Sequence, residues 1–272
     1  MKTEEIKICV LRVGGTNCDS ETKRSFQELG VKAEIVHVNE MIRKRSMLNY
    51  DALVFPGGFS YGDYVRAGAI WAKWTIAKLG KDMEAFVSDN RPILGICNGF
   101  QVLVEAGLLP GFEGISAAPA AALATNIPPG YNCRWIYLKH ENKGKCVFTS
   151  KIPKGQTIRI PVAHAEGRFI FENKKRQHYL QKLIENDQLV FRYCKKDGEY
   201  AQRSYPANPN GSFYDIAGIC NPEGTVFGLM PHPERAFYSW QQPDWTRQEK
   251  TSEFGDGRPI FESLVSYLEG NR

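Results

Sequence analysis

A cysteine at position 97 sits two residues from a glycine on either side, in the stretch Arg91–Gln101 that reads RPILGICNGFQ. Ile93–Ile96 is a short apolar run of the kind that forms a strand buried on both faces. Phe100, Val102, Leu103, Val104 and Ala106 continue at helical spacing up to Gly107, a C-terminal stop. A cysteine at a strand-to-helix corner is the nucleophile-elbow arrangement, with Cys in place of Ser. The sharp corner strains the backbone, and flanking glycines relieve the crowding. The sulfur then projects from the end of the sheet, where the N-terminus of the next helix favours its thiolate. Backbone N–H groups there can also receive an oxyanion. The alternative is a buried, inert small hydrophobe, the commoner state of a free cysteine, and the local pattern does not choose between the two.

A thiol nucleophile needs a base and a group that orients the base. Five histidines are present. His37, His140 and His178 stand in contexts that read as surface or core positions. His164 and His232 each follow a strand-like run, with an acidic residue two positions later. His232 is the better base. Prolines on both sides limit its backbone freedom, and Glu234 can point to the same side of an extended segment and hold the imidazole.

Strands alternating with helices must position these groups. Strands are expected at Ile6–Val13, Ala33–Val38, Ala52–Phe55, Ile93–Ile96, Cys133–Leu138, Thr157–Val162, Leu189–Tyr193, Ile216–Cys220 and Val226–Met230. A helix N-capped by Asp19 or Ser20 should run to Leu29, a long one should occupy 69–88, and Pro259–Leu268 should close the chain with Pro in its first turn. The pattern predicts an α/β fold, a mainly parallel central sheet with helices on both faces. Ligands of such sheets bind at the carboxyl ends of strands. Two glycine-rich corners, 57–58 and 95–99, fall at such ends and could face one another. Residues 116–129, rich in Ala and Pro, read as a surface connection, and 241–257 as a polar loop. Neither an internal repeat nor an inter-domain linker is visible, so residues 1–272 are expected to form one domain.

Composition excludes several classes. Hydrophobic content of 42% and charged content of 24% describe an ordinary globular chain with a sizeable core. The net charge of +5 includes the runs Arg43-Lys44-Arg45 and Lys174-Lys175-Arg176, which lack interleaved aromatics and read as solvated faces rather than a nucleic-acid surface. Seven cysteines without a CxxC pair indicate reduced usage, not a disulfide framework or a metal site. The first residues lead straight into a strand, without the apolar core of a signal peptide, and no apolar run reaches membrane-spanning length. The expected location is the cytoplasm.

The stretches GICNGFQ and MPHPER together resemble the class I (triad) glutamine amidotransferase family. GGTNCD at 14–19, PGGFSYGDYVRAGA at 56–69, PVAHAEGRF at 161–169 and NGSFYDIAGICN at 210–221 narrow the resemblance. They are similar to the glutaminase subunits (PurQ type) of phosphoribosylformylglycinamidine synthases, from about Ile6 to the final helix. The resemblance implies a flavodoxin-like fold, with Cys97 as nucleophile, His232 as general base and acid, and Glu234 as the orienting carboxylate. It implies an oxyanion hole of backbone N–H groups from Gly57, Gly58 and Phe59 and from Asn98. Gln101, His164 and Glu166 would lie near the glutamine. For Gln101 and Glu166 the lesser alternative is an ordinary hydrogen bond of a helix surface or a loop. The implied partners are a large PurL-type synthetase subunit and a small PurS-type subunit. The chain itself carries no GxxxxGK[ST] phosphate loop and no expected cofactor or metal, so ATP and Mg are expected on the synthetase.

Two other readings compete. Peptidase-like or deglycase-like enzymes also carry a cysteine elbow, but they place a histidine directly after the cysteine, where this chain has Asn98. A subunit that only binds glutamine would not need the Cys97, His232 and Glu234 set.

Overall fold

The computed structural model describes residues 1–247 and 252–270. The strands and helices run β1 (Lys7–Arg12), α1 (Asp19–Gln27), β2 (Lys32–His37), α2 (Val38–Lys44), β3 (Ala52–Phe55), α3 (Ala69–Ser88), β4 (Ile93–Ile96) and α4 (Asn98–Glu105). They continue with β5 (Ala121–Ala124), β6 (Asn132–His140), β7 (Thr157–His164), β8 (Arg168–Phe171), α5 (Arg176–Glu185), β9 (Leu189–Cys194), β10 (Ile216–Cys220), β11 (Val226–Leu229) and α6 (Arg258–Gly270).

Nine strands form one sheet in the order β2-β1-β3-β4-β11-β10-β9-β6-β7. From β2 to β11 every pairing is parallel, and from β11 outward through β7 every pairing is antiparallel. The expected parallel sheet is therefore the half that carries the elbow, extended by an antiparallel half. Every residue of β3 and β4 is buried, as strands covered by helices on both faces require. The chain steps from β1 outward to β2, then returns to the other side of β1 for β3. Right-handed crossovers therefore put α1 on one face and α2 and α3 on the other. α6 joins α1, with Phe26 and Phe261 edge to face at 5.0 Å. The loops that follow β1 and β3 meet at this reversal, where Thr16 bridges Gly58. Such a reversal is where open α/β sheets place ligands.

Some expectations change. Neither Asp19 nor Ser20 caps α1: Cys18 holds the N-cap position. The Asp19 carboxylate is drawn instead to Arg12 and to the backbone N–H of Ser20. Within 116–129, read as a surface connection, Ala121–Ala124 is a strand paired antiparallel with β8, with Ala121 and Leu123 buried. Alanine carries little strand propensity, so this pairing is created by tertiary contact rather than local preference. α2 ends within the first basic run, at Lys44, and α5 begins at the end of the second, at Arg176. Within 241–257, residues 248–251 lie outside the described residues, and Trp245–Arg247 forms a short 3₁₀ turn. Among the described residues no helix is long and apolar enough to cross a membrane.

Candidate active site

β4 ends at Ile96, and Cys97 takes φ 51° and ψ −107°, a left-handed conformation unusual for any residue but glycine. α4 starts at the next residue. The corner is packed so tightly onto β3 that a Cβ at position 99 would fall 1.8 Å from the Phe55 carbonyl oxygen. Only glycine fits there. β11 runs parallel beside β4, with Leu229 opposite Ile96, and the Cys97 N–H donates to the Leu229 carbonyl at 2.8 Å. Two neighbouring strands thus deliver Cys97 and the segment after Met230 to the same edge. The His232 N–H then anchors on the Pro161 carbonyl of β7 at 2.8 Å.

The expected residues converge. Nδ1 of His232 lies 2.6 Å from Oε1 of Glu234, and both side chains are buried. Nε2 of His232 is buried and has no hydrogen-bond partner. The Cys97 thiol, 5% exposed, points toward the Ala163 carbonyl at 3.7 Å. Burial opposes the imidazolium of His232. The Glu234 carboxylate, together with the Cys97 and Cys18 sulfurs, outweighs it and holds the pKa well above its ordinary value.

The facing corner is built by glycine. A Cβ on Gly57 would come within 2.7 Å of Cε1 of His232 and 3.0 Å of the Cys18 sulfur. The Gly57 carbonyl accepts from the N–H groups of Asn17 and Cys18 at 3.3 and 3.1 Å. The Phe59 N–H donates to the Gly15 carbonyl at 2.8 Å, so it is committed elsewhere. Of the backbone donors in the expected oxyanion set, Phe59 is thereby removed, and Gly57, Gly58 and Asn98 remain. The Phe59 ring instead lies half-exposed against Tyr131, centroids 6.4 Å apart.

Asn98 ties the two corners together. Its Oδ1 accepts from the Ser60 N–H at 3.2 Å, and its Nδ2 donates to Oε1 of Gln101 at 2.9 Å. Gln101 in turn donates through Nε2 to the Glu166 carbonyl, and the Glu166 carboxylate accepts the Ala67 N–H at 3.0 Å. Gln101 is therefore bonded directly to Asn98, the first residue of α4, and Glu166 is one link further along the same network. His164 is different. Its ring is enclosed between Asn126 Oδ1 at 3.2 Å and Asn210 Nδ2 at 3.5 Å, under Gly167. Burial, helped by the charge of His232, pushes its pKa down to about 3. The imidazole is neutral and braces the segment that carries Ala163 and Glu166.

Three further side chains, not expected from the sequence, stand beside these residues. Cys18 lies 3.9 Å from Nδ1 of His232, and Arg235 donates to its sulfur at 3.2 Å. Asp63 reaches the Asn98 side chain at 3.5 Å, and burial plus the charge of Glu166 raise its pKa to about 6. All three fall within motifs already singled out, GGTNCD, PGGFSYGDYVRAGA and MPHPER. Their spacing gave no hint that they share one site.

The fold and this edge of the sheet define an amidotransferase-like α/β protein. The family profile of CobB/CobQ-like glutamine amidotransferase domains matches residues 5–268. A PurQ subunit of phosphoribosylformylglycinamidine synthase from Archaeoglobus fulgidus is 52% identical, over 99% of both chains. The corresponding subunit from Methanococcus maripaludis is 43% identical, over 97% of this chain and 94% of its own. Among solved structures, a chain of PurLQS from Thermotoga maritima superposes with a TM-score of 0.70 at 32% identity, covering 97% of this chain and 99% of that one. The chain belongs to the CobB/CobQ-like glutamine amidotransferase family and, within it, to the PurQ subunits of phosphoribosylformylglycinamidine synthase.

Proposed function

We propose that Cys97, His232 and Glu234 form the hydrolytic triad of this glutamine amidotransferase subunit. The observation that carries the reading is the His232 ring. Its Nδ1 is fixed on Glu234, while its buried Nε2 is left without a partner at the edge where the Cys97 elbow ends. A buried ring nitrogen with no partner is costly unless a thiol or a substrate uses it.

The Cys97 thiolate adds to the side-chain amide carbon of glutamine, and the amide oxygen takes the electron pair. Backbone N–H groups of the Gly57–Gly58 corner and of Asn98 receive that oxyanion. His232, as imidazolium, gives its Nε2 proton to the nitrogen as the C–N bond breaks and ammonia leaves. The γ-glutamyl thioester is then cleaved by water, whose proton His232 accepts, and thiolate and glutamate are regenerated. Glu234 stabilises the imidazolium throughout. Gln101 and Glu166 hold the loop beside the glutamine, and His164 braces it from behind. Gly57 lets His232 approach.

In this reading the ammonia passes to a large PurL-type synthetase subunit, with a small PurS-type subunit completing the assembly. That synthetase, holding ATP and Mg, converts formylglycinamide ribonucleotide to formylglycinamidine ribonucleotide. The solved relative comes from a PurLQS structure, which supports such an assembly. All seven cysteines are free, which supports work in the reducing cytoplasm. We read the 272 residues as one domain without a cofactor or metal of its own.

The test separates the two halves of the reaction. Changing Cys97 to Ala in the assembled complex should abolish glutamine-dependent amidine formation. Product should still form from ammonium salt at a pH where free NH₃ is abundant. Retained glutamine-dependent product would remove Cys97 as the nucleophile.

A further inference from the structure

The Nδ1 edge of His232 has more than one neighbour. Glu234 Oε1 takes the in-line position at 2.6 Å, and the Cys18 sulfur lies beside it at 3.9 Å. Cys18 is itself held from every side. Its N–H donates to the Gly57 carbonyl, its carbonyl accepts from the Thr22 hydroxyl at 2.6 Å, and its thiol donates to Asn17 Oδ1 at 3.3 Å. Nη2 of Arg235 donates to the sulfur at 3.2 Å, and Nε and Nη2 of the same guanidinium reach Oε1 of Glu21 on α1 at 3.0 and 2.8 Å. Burial pushes the Cys18 thiol up to about 11, so it stays neutral, donating to Asn17 and accepting from Arg235. The sulfur, Nδ1 and a Glu234 oxygen lie within 4.8 Å of one another, a donor set a soft metal could use. The Arg235 cation on the sulfur disfavours that use and leaves a hydrogen-bonded cluster.

We propose that Cys18 and Arg235 are positioning residues that hold the His232 imidazole from its Nδ1 edge, in line with the Cys97 thiol. The reason is geometric. A single hydrogen bond to Glu234 fixes one point of the ring but leaves rotation about that bond. The Cys18 sulfur packs beside that bond, against the space that Gly57 leaves: a Cβ there would stand 3.0 Å from the sulfur and 2.7 Å from Cε1. Arg235 locks that sulfur and joins the His232–Glu234 segment to α1, which otherwise belongs to a different part of the sheet. It also sets a cation within about 7 Å of the ring, given the two spans through the sulfur. The charged and titratable groups that face His232 are Glu234 and Arg235 of its own segment, Cys18 and Glu21 from α1, Cys97 of the elbow, His164 of β7 and Tyr131 of the loop before β6. The proposal rests on the thiol-triad reading given above.

The test is glutamine hydrolysis by the full chain assembled with its synthetase partner, followed across pH. Cys18→Ala should lower kcat about tenfold or more with KM within about twofold, because substrate contacts are intact while the base is loosened. Cys18→Ser should keep more activity than Cys18→Ala, since a hydroxyl can still donate to Asn17 and accept from Arg235. Arg235→Gln should move the alkaline limb of the kcat/KM profile to higher pH by about half a unit, because a cation near the imidazolium is removed. Arg235→Lys should restore that limb. An unmoved alkaline limb in Arg235→Gln, or kcat within twofold of the parent in all four variants, would overturn the proposal. If Cys97→Ala is inactive in the same assay, that failure leaves the triad standing. If Cys97→Ala keeps hydrolysing glutamine, the triad reading itself has failed.

Discussion

Gly57 and His232 are in such close approach that a single added methyl carbon at position 57 would stand 2.7 Å from Cε1 of the imidazole. The corner that follows β3 and the segment that follows β11 are thus fitted to each other through a missing side chain. Gly57→Ala should leave the fold intact and push the ring from its place. A displacement of about 1 Å at a catalytic group can cost roughly 10²-fold in rate. Glutaminase kcat measured beside a circular dichroism spectrum checks this, and an unaltered kcat would mean that the ring has slack.

Glu234→Gln should slow hydrolysis, by up to ~10⁴ if this carboxylate matters as much as in a serine triad. The pH dependence has a definite sign. Glu234 is the first of the groups that raise the pKa of His232 against its burial. Without the carboxylate, burial acts with less opposition, so the pKa falls and the alkaline limb of the rate profile moves to lower pH. In the parent, the raised pKa contributes stability that is fully present below the unfolded value near 6.5 and is lost as pH rises through the folded value. The variant should therefore lose more stability at pH 6 than at alkaline pH. A Tm series against pH reads this out.

An electrophile shaped like glutamine should label Cys97 first. A small general alkylating agent should also reach Cys133, which is exposed. Cys9, Cys18 and Cys194 are each buried and have thiols held above the ordinary range, chiefly by that burial, and they should react slowly. Peptide mapping after each reagent distinguishes the two patterns. Label from the glutamine analogue found mainly on Cys18 would mean that the elbow does not present the nucleophile.

His164 predicts the opposite pH behaviour to His232. Its pKa lies at about 3, below the unfolded value, so its neutral form contributes stability above about pH 6.5 that is lost as pH falls toward 3. One proton taken up on unfolding steepens the loss to about 1.4 kcal/mol per pH unit over that window. His164→Gln, which can keep a contact to Asn126 or Asn210, should flatten the acid side of a stability profile while lowering its plateau. An acid side of unchanged steepness would show that another group sets it.

Much of the site was legible in the chain because its parts are local. The elbow needs only a buried apolar run, glycines two residues either side of Cys97 and a helical pattern after it, all between Ile93 and Gly107. His232 and Glu234 are two residues apart on either side of Pro233, so their pairing is local too, although a 3₁₀ turn over Pro233–Ala236 makes it rather than the extended segment expected. The strand positions β3, β4 and β10 match their expected bounds, since fully buried strands are continuous apolar runs. What the chain could not declare is everything decided by neighbours far apart. β5 forms from alanines only because β8 lies beside it. The Phe59 N–H is spent on Gly15, a residue of another loop, and this removes one of the donors expected for the oxyanion. Cys18 looks like any cysteine before a helix until β1 and β11 bring it against Arg235 and His232. A hydrogen bond across the sheet depends on strand order and register, which periodicity does not encode, and so the tertiary structure alone decided which side chains surround the histidine.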